Sequence, residues 1–112
     1  MSFTLNRITL IGSLGKNAET KSINKNATVT KFSLATARSI KEKDGTFKEI
    51  VTWHNITAFN FTKSVTDQLI KGTKIFIEGR QENNSYLDKT TNEKKYSSEV
   101  VAEKIILFNT KD

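Results

Sequence analysis

Five stretches of this chain alternate with the period of a strand, and only one short stretch keeps the period of a helix. In Asn6–Leu14, Ile8 and Leu10 alternate with Arg7, Thr9 and Ile11; in Val29–Ala37, Phe32 and Leu34 alternate with Lys31, Ser33 and Ala35. Ile50–Phe59, Thr73–Gly79 and Tyr96–Phe108 are likewise rich in β-branched and aromatic residues. The helical spacing falls between the third and fourth of these stretches. There Phe61, Val65 and Leu69 recur at i, i+4 and i+8, with Asn60 placed as an N-cap and Gly72 just past the end.

The connections have a reading of their own. Asp44-Gly45, inside Ile40–Glu49, is a hairpin turn signal flanked by lysines, and Asn24–Thr28 reads as a short polar turn. Gln81–Lys95 is longer and polar, and suits an extended hairpin projecting from a sheet. Together these features predict an all-β fold: a small, partly open five-stranded barrel of the OB type with one short helix between strands three and four. A β-sandwich and a β-grasp variant share the same periodicity. A chain of 112 residues is one domain, here 1–112, and buries roughly two-thirds of its extended surface, enough for a modest core without covalent staples.

Composition removes most catalytic chemistry. The chain has no Cys, which excludes disulfides, thiol catalysis and thiolate metal sites, and its single His excludes multi-histidine sites. No cofactor or metal is expected. Met1–Arg7 lacks an apolar run followed by a cleavage site, and no stretch approaches the length of a membrane span, so the expectation is a soluble, intracellular protein with no membrane partner. Gly12-Ser13-Leu14-Gly15 fits a bare GxxG, but no helix clearly opens from it, and a turn after the first strand explains both glycines. Basic residues number 18 and acidic residues 12. The excess lies entirely in the first half: residues 1–48 carry nine basic and three acidic side chains, residues 49–112 nine of each. Such a distribution points to a polyanionic partner.

The third strand carries the functional signal. Alternation puts Trp53, Asn55, Thr57 and Phe59 on one side, and His54, Ile56 and Ala58 on the other, which suits a narrow core or a packed subunit. Two large aromatics six residues apart, about 20 Å along a strand, among polar neighbours make a poor core and a good stacking platform for unpaired bases. The competing explanation is burial of Trp53 or Phe59 under a loop or a second subunit. Tyr86 lies in a polar hairpin where a core aromatic is not expected, and Tyr96 precedes the last strand. Basic residues interleave with these aromatics: Arg38, Lys41, Lys43 and Lys48 around the first long hairpin, Lys63 and Lys71 around the helix, and Lys89, Lys94 and Lys95 in the second. Cations for phosphates and planes for bases are the requirements for binding single-stranded nucleic acid.

These residues also resemble a known family. Asn6-Arg7-Ile8-Thr9-Leu10-Ile11-Gly12-Ser13-Leu14-Gly15, Phe32-Ser33-Leu34-Ala35-Thr36, Thr52-Trp53-His54-Asn55-Ile56 and Lys71-Gly72-Thr73-Lys74-Ile75-Phe76-Ile77-Glu78-Gly79 are similar, in order and spacing, to the bacterial and mitochondrial single-stranded-DNA-binding proteins. The likeness runs from about Asn6 to Phe108. It implies an OB fold, a homotetramer of two dimers, and single-stranded DNA wrapped nonspecifically over the surface. Position by position, it implies stacking roles for Trp53 and Phe59, and for Tyr86 where many members have a Trp. Ile40 stands where members have another stacking Trp, which implies a lost or weakened platform. His54 matches a histidine at the subunit interface, and Lys21, Lys48 and Lys71 coincide with phosphate-contacting positions. Many bacterial members continue into a flexible linker and an acidic, Phe-ended tip that recruits replication and repair enzymes. This sequence stops at Asn109-Thr110-Lys111-Asp112, so the expectation is a naturally short or a shortened member that lacks such recruitment.

The leading expectation is therefore a noncatalytic protein that binds and protects single-stranded DNA in replication, recombination and repair, in a bacterial cytoplasm or nucleoid, a phage-infected cell or a mitochondrial matrix. The alternative is a protein-interaction module on the same fold that binds DNA weakly, favoured by Ile40. A nuclease comes third, since no acidic catalytic set stands out.

Overall fold

The computed structural model describes residues 3–108. Six strands and one helical turn follow in the order β1 (Ile8–Leu14), β2 (Glu19–Asn24), β3 (Ala27–Lys41), β4 (Phe47–Phe59), α1 (Lys63–Thr66), β5 (Lys74–Leu87) and β6 (Lys94–Leu107). They form one sheet in the order β1-β5-β6-β4-β3-β2, and β1 pairs back onto β3. That last pairing, Ser13 with Ala35 and Leu14 with Leu34, closes β1, β3, β4, β6 and β5 into a five-stranded barrel. The barrel strands are antiparallel neighbours except β4 and β6, which run parallel over Ile56–Ala58 and Val100–Ala102. This is the expected OB topology, with its helix between the third and fourth barrel strands.

Closure depends on a missing side chain. Gly12 is buried where β1 turns from β5 toward β3, and a β-carbon there would collide with the carbonyl oxygen of Ala35. Only glycine lets two backbones approach this closely. The barrel interior is filled by the inward rows of all five strands: Leu14, Phe32, Leu34, Ile56, Ala58, Ile75, Ile77, Val100 and Ala102, with Leu69 plugging the helix end. Leu34, Ala58, Ile75 and Ile77 have no exposed surface. Truncating one such Leu or Ile to Ala costs about 2–5 kcal/mol, because the void cannot collapse.

Two local expectations are corrected and a third is extended. The turn within Asn24–Thr28 is present at residues 25–26, but a strand that was not expected precedes it: Glu19–Asn24 forms β2, an entirely exposed strand that pairs with β3 outside the barrel. The helix is one turn long, and its N-cap is Thr62 rather than Asn60. Asn60 instead adopts a left-handed backbone (φ 59°) and closes the end of β4. Its Oδ1 accepts from the Thr28 N–H at 2.9 Å, and its own N–H donates to the Thr28 carbonyl at 3.0 Å. Gly72 lies six residues beyond Thr66, so it ends the following loop rather than the helix. Finally, β3 to β4 and β5 to β6 stay paired far past the barrel, from Val29–Phe59 out to Lys41–Phe47 and from Ile75–Leu107 out to Leu87–Lys94. Gln81–Lys95 is thus the tip of the projecting hairpin expected of it, and Ile40–Glu49 ends a second two-stranded arm of the same kind. Asp44-Gly45 turns the β3–β4 arm, Gly45 with φ 92°.

Candidate nucleic-acid interface

Residues directly opposite one another across a β ladder share a face, so the register sorts the candidate site residues. On β4 the exposed row is Phe47, Glu49, Val51, Trp53, Asn55 and Phe59. Trp53 is 58% exposed and Phe59 48% exposed. Trp53 lies opposite Ala35, whose short side chain leaves the indole uncovered, and its six-membered ring reaches over Gly15 on the neighbouring loop. Phe59 lies opposite Val29, which in turn lies opposite Lys21 on β2, so these three stand side by side in one row. Thr57, expected on this exposed side, is buried at 4%. The reason is β6: Glu99 leans over it and accepts short hydrogen bonds from the Thr57 hydroxyl and the Asn84 amide.

Glu99 also ties the β5–β6 arm to the barrel strand β4. On the β5–β6 arm, Tyr86 pairs with Lys95, Asn84 with Ser97 and Glu82 with Glu99, so Tyr86 stands on the side of the arm that meets Thr57 and the Trp53 face. Beside it, between the barrel face of β3 and β4 and the base of the β5–β6 arm, runs an open groove of about 350 Å³, lined by Lys31, Ser33, Asn55, Thr57, Ser97 and Glu99 among others. Tyr86, 56% exposed, stands on the same side of its arm as the Asn84–Ser97 pair at the groove, and Trp53 and Phe59 stand two residues from Asn55 and Thr57 on the same face of β4. Trp53, Phe59 and Tyr86 therefore border one continuous surface. Tyr96 does not: it pairs with Ser85 on the reverse side of its arm, 71% exposed, with the Lys94 ammonium 5.7 Å from its ring centre.

The basic residues divide in the same way. Lys21, Lys31 and Lys41 project from the Trp53 face, whereas Arg38 and Lys48 pair with Ile50 and Ile40 on the reverse face, the face that also carries His54. Lys43 is in the exposed turn of the first arm and Lys89 in that of the second. Lys71 is exposed in the loop after α1, where its backbone N–H donates to Asn17 Oδ1 at 2.9 Å. Lys63 is ion-paired to Asp67 at 3.1 Å within the helical turn. Arg80 is also committed: its Nε donates to Glu82 at 2.6 Å and its Nη1 to Glu103 at 2.7 Å. Those bonds, with Glu82 the stronger influence, raise its already high pKa further. His54, half-buried, places Nε2 2.9 Å from the Thr36 hydroxyl beside the core residue Leu34.

The sequence reading missed Phe47, which it left inside a hairpin. It opens β4 on the parity of Trp53 and is 71% exposed. Extending the alternation of the third strand back from Trp53 by six residues would have found it. Asn109–Asp112, where an acidic tail was sought, lie outside the described residues. Among the described residues, no helix is long and apolar enough to cross a membrane.

A closed five-stranded barrel with two projecting arms and an exposed aromatic and basic face defines an oligonucleotide-binding module. The family comparison makes this specific: residues 5–108 match the model of the single-strand binding protein family, and the chain belongs to that family. It is 34% identical over 113 residues to the single-stranded DNA-binding protein 1 of Chlorobaculum tepidum, an alignment covering all of this chain and 70% of that one. In three dimensions it resembles the Plasmodium falciparum SSB solved in complex with ssDNA, with a TM-score of 0.81 over 97% of this chain and 99% of that one; at 23% identity this likeness concerns the fold. It also resembles a deletion mutant of the single-stranded DNA binding protein from Thermus aquaticus, with a TM-score of 0.78 and 26% identity over 95% of this chain and 51% of that one.

Proposed function

We propose that this protein coats single-stranded DNA without regard to sequence and protects it during replication, recombination and repair. Its work is binding, not catalysis. The observation that carries the reading is the single surface bordered by Trp53, Phe59 and Tyr86, all about half exposed, with Lys21, Lys31 and Lys41 projecting from it. Every base has a π-face, so stacking on such planes accepts any sequence, and the lysines neutralise phosphates without reading bases. Trp53 is the sole tryptophan. Titrating its emission with oligo(dT) therefore tests the reading directly: strong, saturable quenching supports it, and binding that leaves the indole emission untouched overturns the stacking mechanism.

Assembly into a tetramer of two dimers fits the same reading. Among the described residues, β1 over Ile8–Gly12 pairs only with β5, which leaves its other edge open, and Ile11 beside it is 51% exposed. An unpaired strand edge with apolar side chains is a surface that a second copy can cover. His54, on the reverse face of β4, is the residue we assign to a contact between subunits. Light scattering at micromolar concentration should give a tetramer, with His54→Ala lowering the assembled fraction on dilution; a monomeric wild type would overturn the assembly. A protein of this kind works where single strands are exposed, in a bacterial nucleoid, a phage-infected cell or a mitochondrial matrix.

A further inference from the structure

We propose that Phe47 and Lys41, facing each other across the tip of the β3–β4 arm, form a further single-stranded DNA subsite, the Phe47 ring taking a base and the Lys41 ammonium its phosphate. The inference rests on the reading of the Trp53 face given above. Its first support is spacing. Phe47, Trp53 and Phe59 recur every six residues along β4, on one side and at about 20 Å intervals. Their exposures are 71%, 58% and 48%, so the series grows more open toward the tip. A lone exposed phenylalanine needs no explanation, but three aromatics at equal spacing along one face make a track.

The second support is the charge around the ring. Lys41 is the direct cross-strand partner of Phe47, which brings their β-carbons to roughly 5 Å. Among the described residues Lys41 enters no ion pair. Asp44, in the adjoining turn, spends its carboxylate on the Thr46 N–H and hydroxyl, at 3.0 and 2.7 Å. Glu49 shares the face on the other side of Phe47, opposite Ser39. The phosphate of a base stacked on Phe47 is therefore drawn to the Lys41 side of the ring and repelled from the Glu49 side, which fixes how the strand crosses the arm.

The third support concerns Ile40. It lies on the reverse face, half-buried, with Lys48 opposite and Ile50 on the diagonal. That face of the arm, formed by Arg38, Ile40, Lys48 and Ile50, offers no aromatic plane. Phe47 is thus the aromatic plane at the arm tip, and it lies on the Trp53 face, which keeps the strand on that face out to the tip. Continuity with that face, together with the free lysine, favours DNA as the occupant over a protein partner.

The experiment uses the full chain and oligo(dT) long enough to cover the arm. Phe47→Ala and Phe47→Leu should both bind about five- to 140-fold more weakly, the loss of one stacked base, because leucine keeps the apolar bulk but not the plane. In the double variant Phe47→Trp with Trp53→Phe, the only indole stands at position 47, and oligo(dT) should quench it. Full affinity in Phe47→Ala, or tight binding by the double variant with unquenched emission, would overturn the subsite. Loss of mass in sedimentation by Phe47→Ala with DNA affinity retained would overturn it in favour of a subunit contact. Quenching of Trp53 in the wild-type protein is read separately, so failure of this subsite is distinguishable from failure of the whole interface.

Discussion

The indole of Trp53 rests over Gly15: a β-carbon at position 15 would lie 2.5 Å from Cζ3 and 2.7 Å from Cη2 of the ring. Gly15 is itself fixed, its N–H donating to the Ser33 carbonyl at 3.2 Å. The loop therefore forms a floor beneath one side of the indole and leaves the other for a base. Gly15→Ala should push the ring off this floor. Because Trp53 is already on the surface, the melting temperature should move by a few degrees at most, while oligo(dT) affinity falls by up to about 1–3 kcal/mol, the value of a stacked base. Calorimetric melting alongside fluorescence titration checks this, and equal affinity with a displaced emission maximum would show that the floor is dispensable.

The division of aromatics between faces predicts an order of effects. Trp53→Ala, Phe59→Ala and Tyr86→Ala should each weaken binding by roughly 1–3 kcal/mol, since they border one surface. Tyr96→Ala should cost clearly less, because the ring stands on the reverse side of its arm beneath Lys94. Equilibrium binding of the four variants to one long oligonucleotide ranks them. A Tyr96 effect as large as that of Trp53 would mean that the strand also passes over the reverse face.

The parts legible in the sequence are those where burial and alternation agree. Phe32, Leu34, Ile56 and Ala58 fall inward and Trp53 and Phe59 outward because β3 and β4 lie on a closed barrel with one dry face. β2 was illegible because Glu19–Asn24 buries no row at all; it forms by pairing with β3, with the Thr20 and Thr30 hydroxyls 2.8 Å apart. Asn60 misled because asparagine serves both as an N-cap and as a residue that tolerates a left-handed backbone, and the hydrogen bonds to Thr28 select the second. The separation of Tyr86 from Tyr96 was out of reach for a different reason. Which faces two strands of a hairpin share depends on the register set by the turn, here Leu87 with Lys94.

Salt dependence separates free cations from committed ones. A single strand releases counterions with a slope of about −0.7 per phosphate neutralised. Lys21→Gln and Lys41→Gln together should make the plot of log affinity against log salt shallower, because both project from the Trp53 face and neither is ion-paired among the described residues. Arg80→Gln should leave the slope nearly intact, since Glu82 and Glu103 already neutralise the guanidinium. Fluorescence titrations across a salt series measure both. A slope that responds to Arg80 as strongly as to the lysines would show that DNA displaces those carboxylates.

The turn of the first arm should be sensitive to acid. Asp44 is held below the ordinary carboxylate range chiefly by the hydrogen bond from the Thr46 hydroxyl, then by that from the Thr46 N–H. A carboxyl whose pKa is lower in the folded turn than in the open chain favours the turn above its open-chain pKa. That contribution is lost as pH falls through the lowered value. Acidification below the usual carboxylate range should therefore loosen Glu42–Thr46, the turn closed by the Glu42 N–H to the Thr46 carbonyl at 2.7 Å. Since this turn sets the register that places Lys41 opposite Phe47, the arm tip should lose order before the barrel does. The Thr46 amide resonance followed by NMR should titrate with the depressed pKa. In Asp44→Asn the titration should vanish, because an amide still accepts a hydrogen bond but carries no titrating proton. A Thr46 resonance that titrates unchanged in Asp44→Asn would place the acid sensitivity elsewhere in the arm.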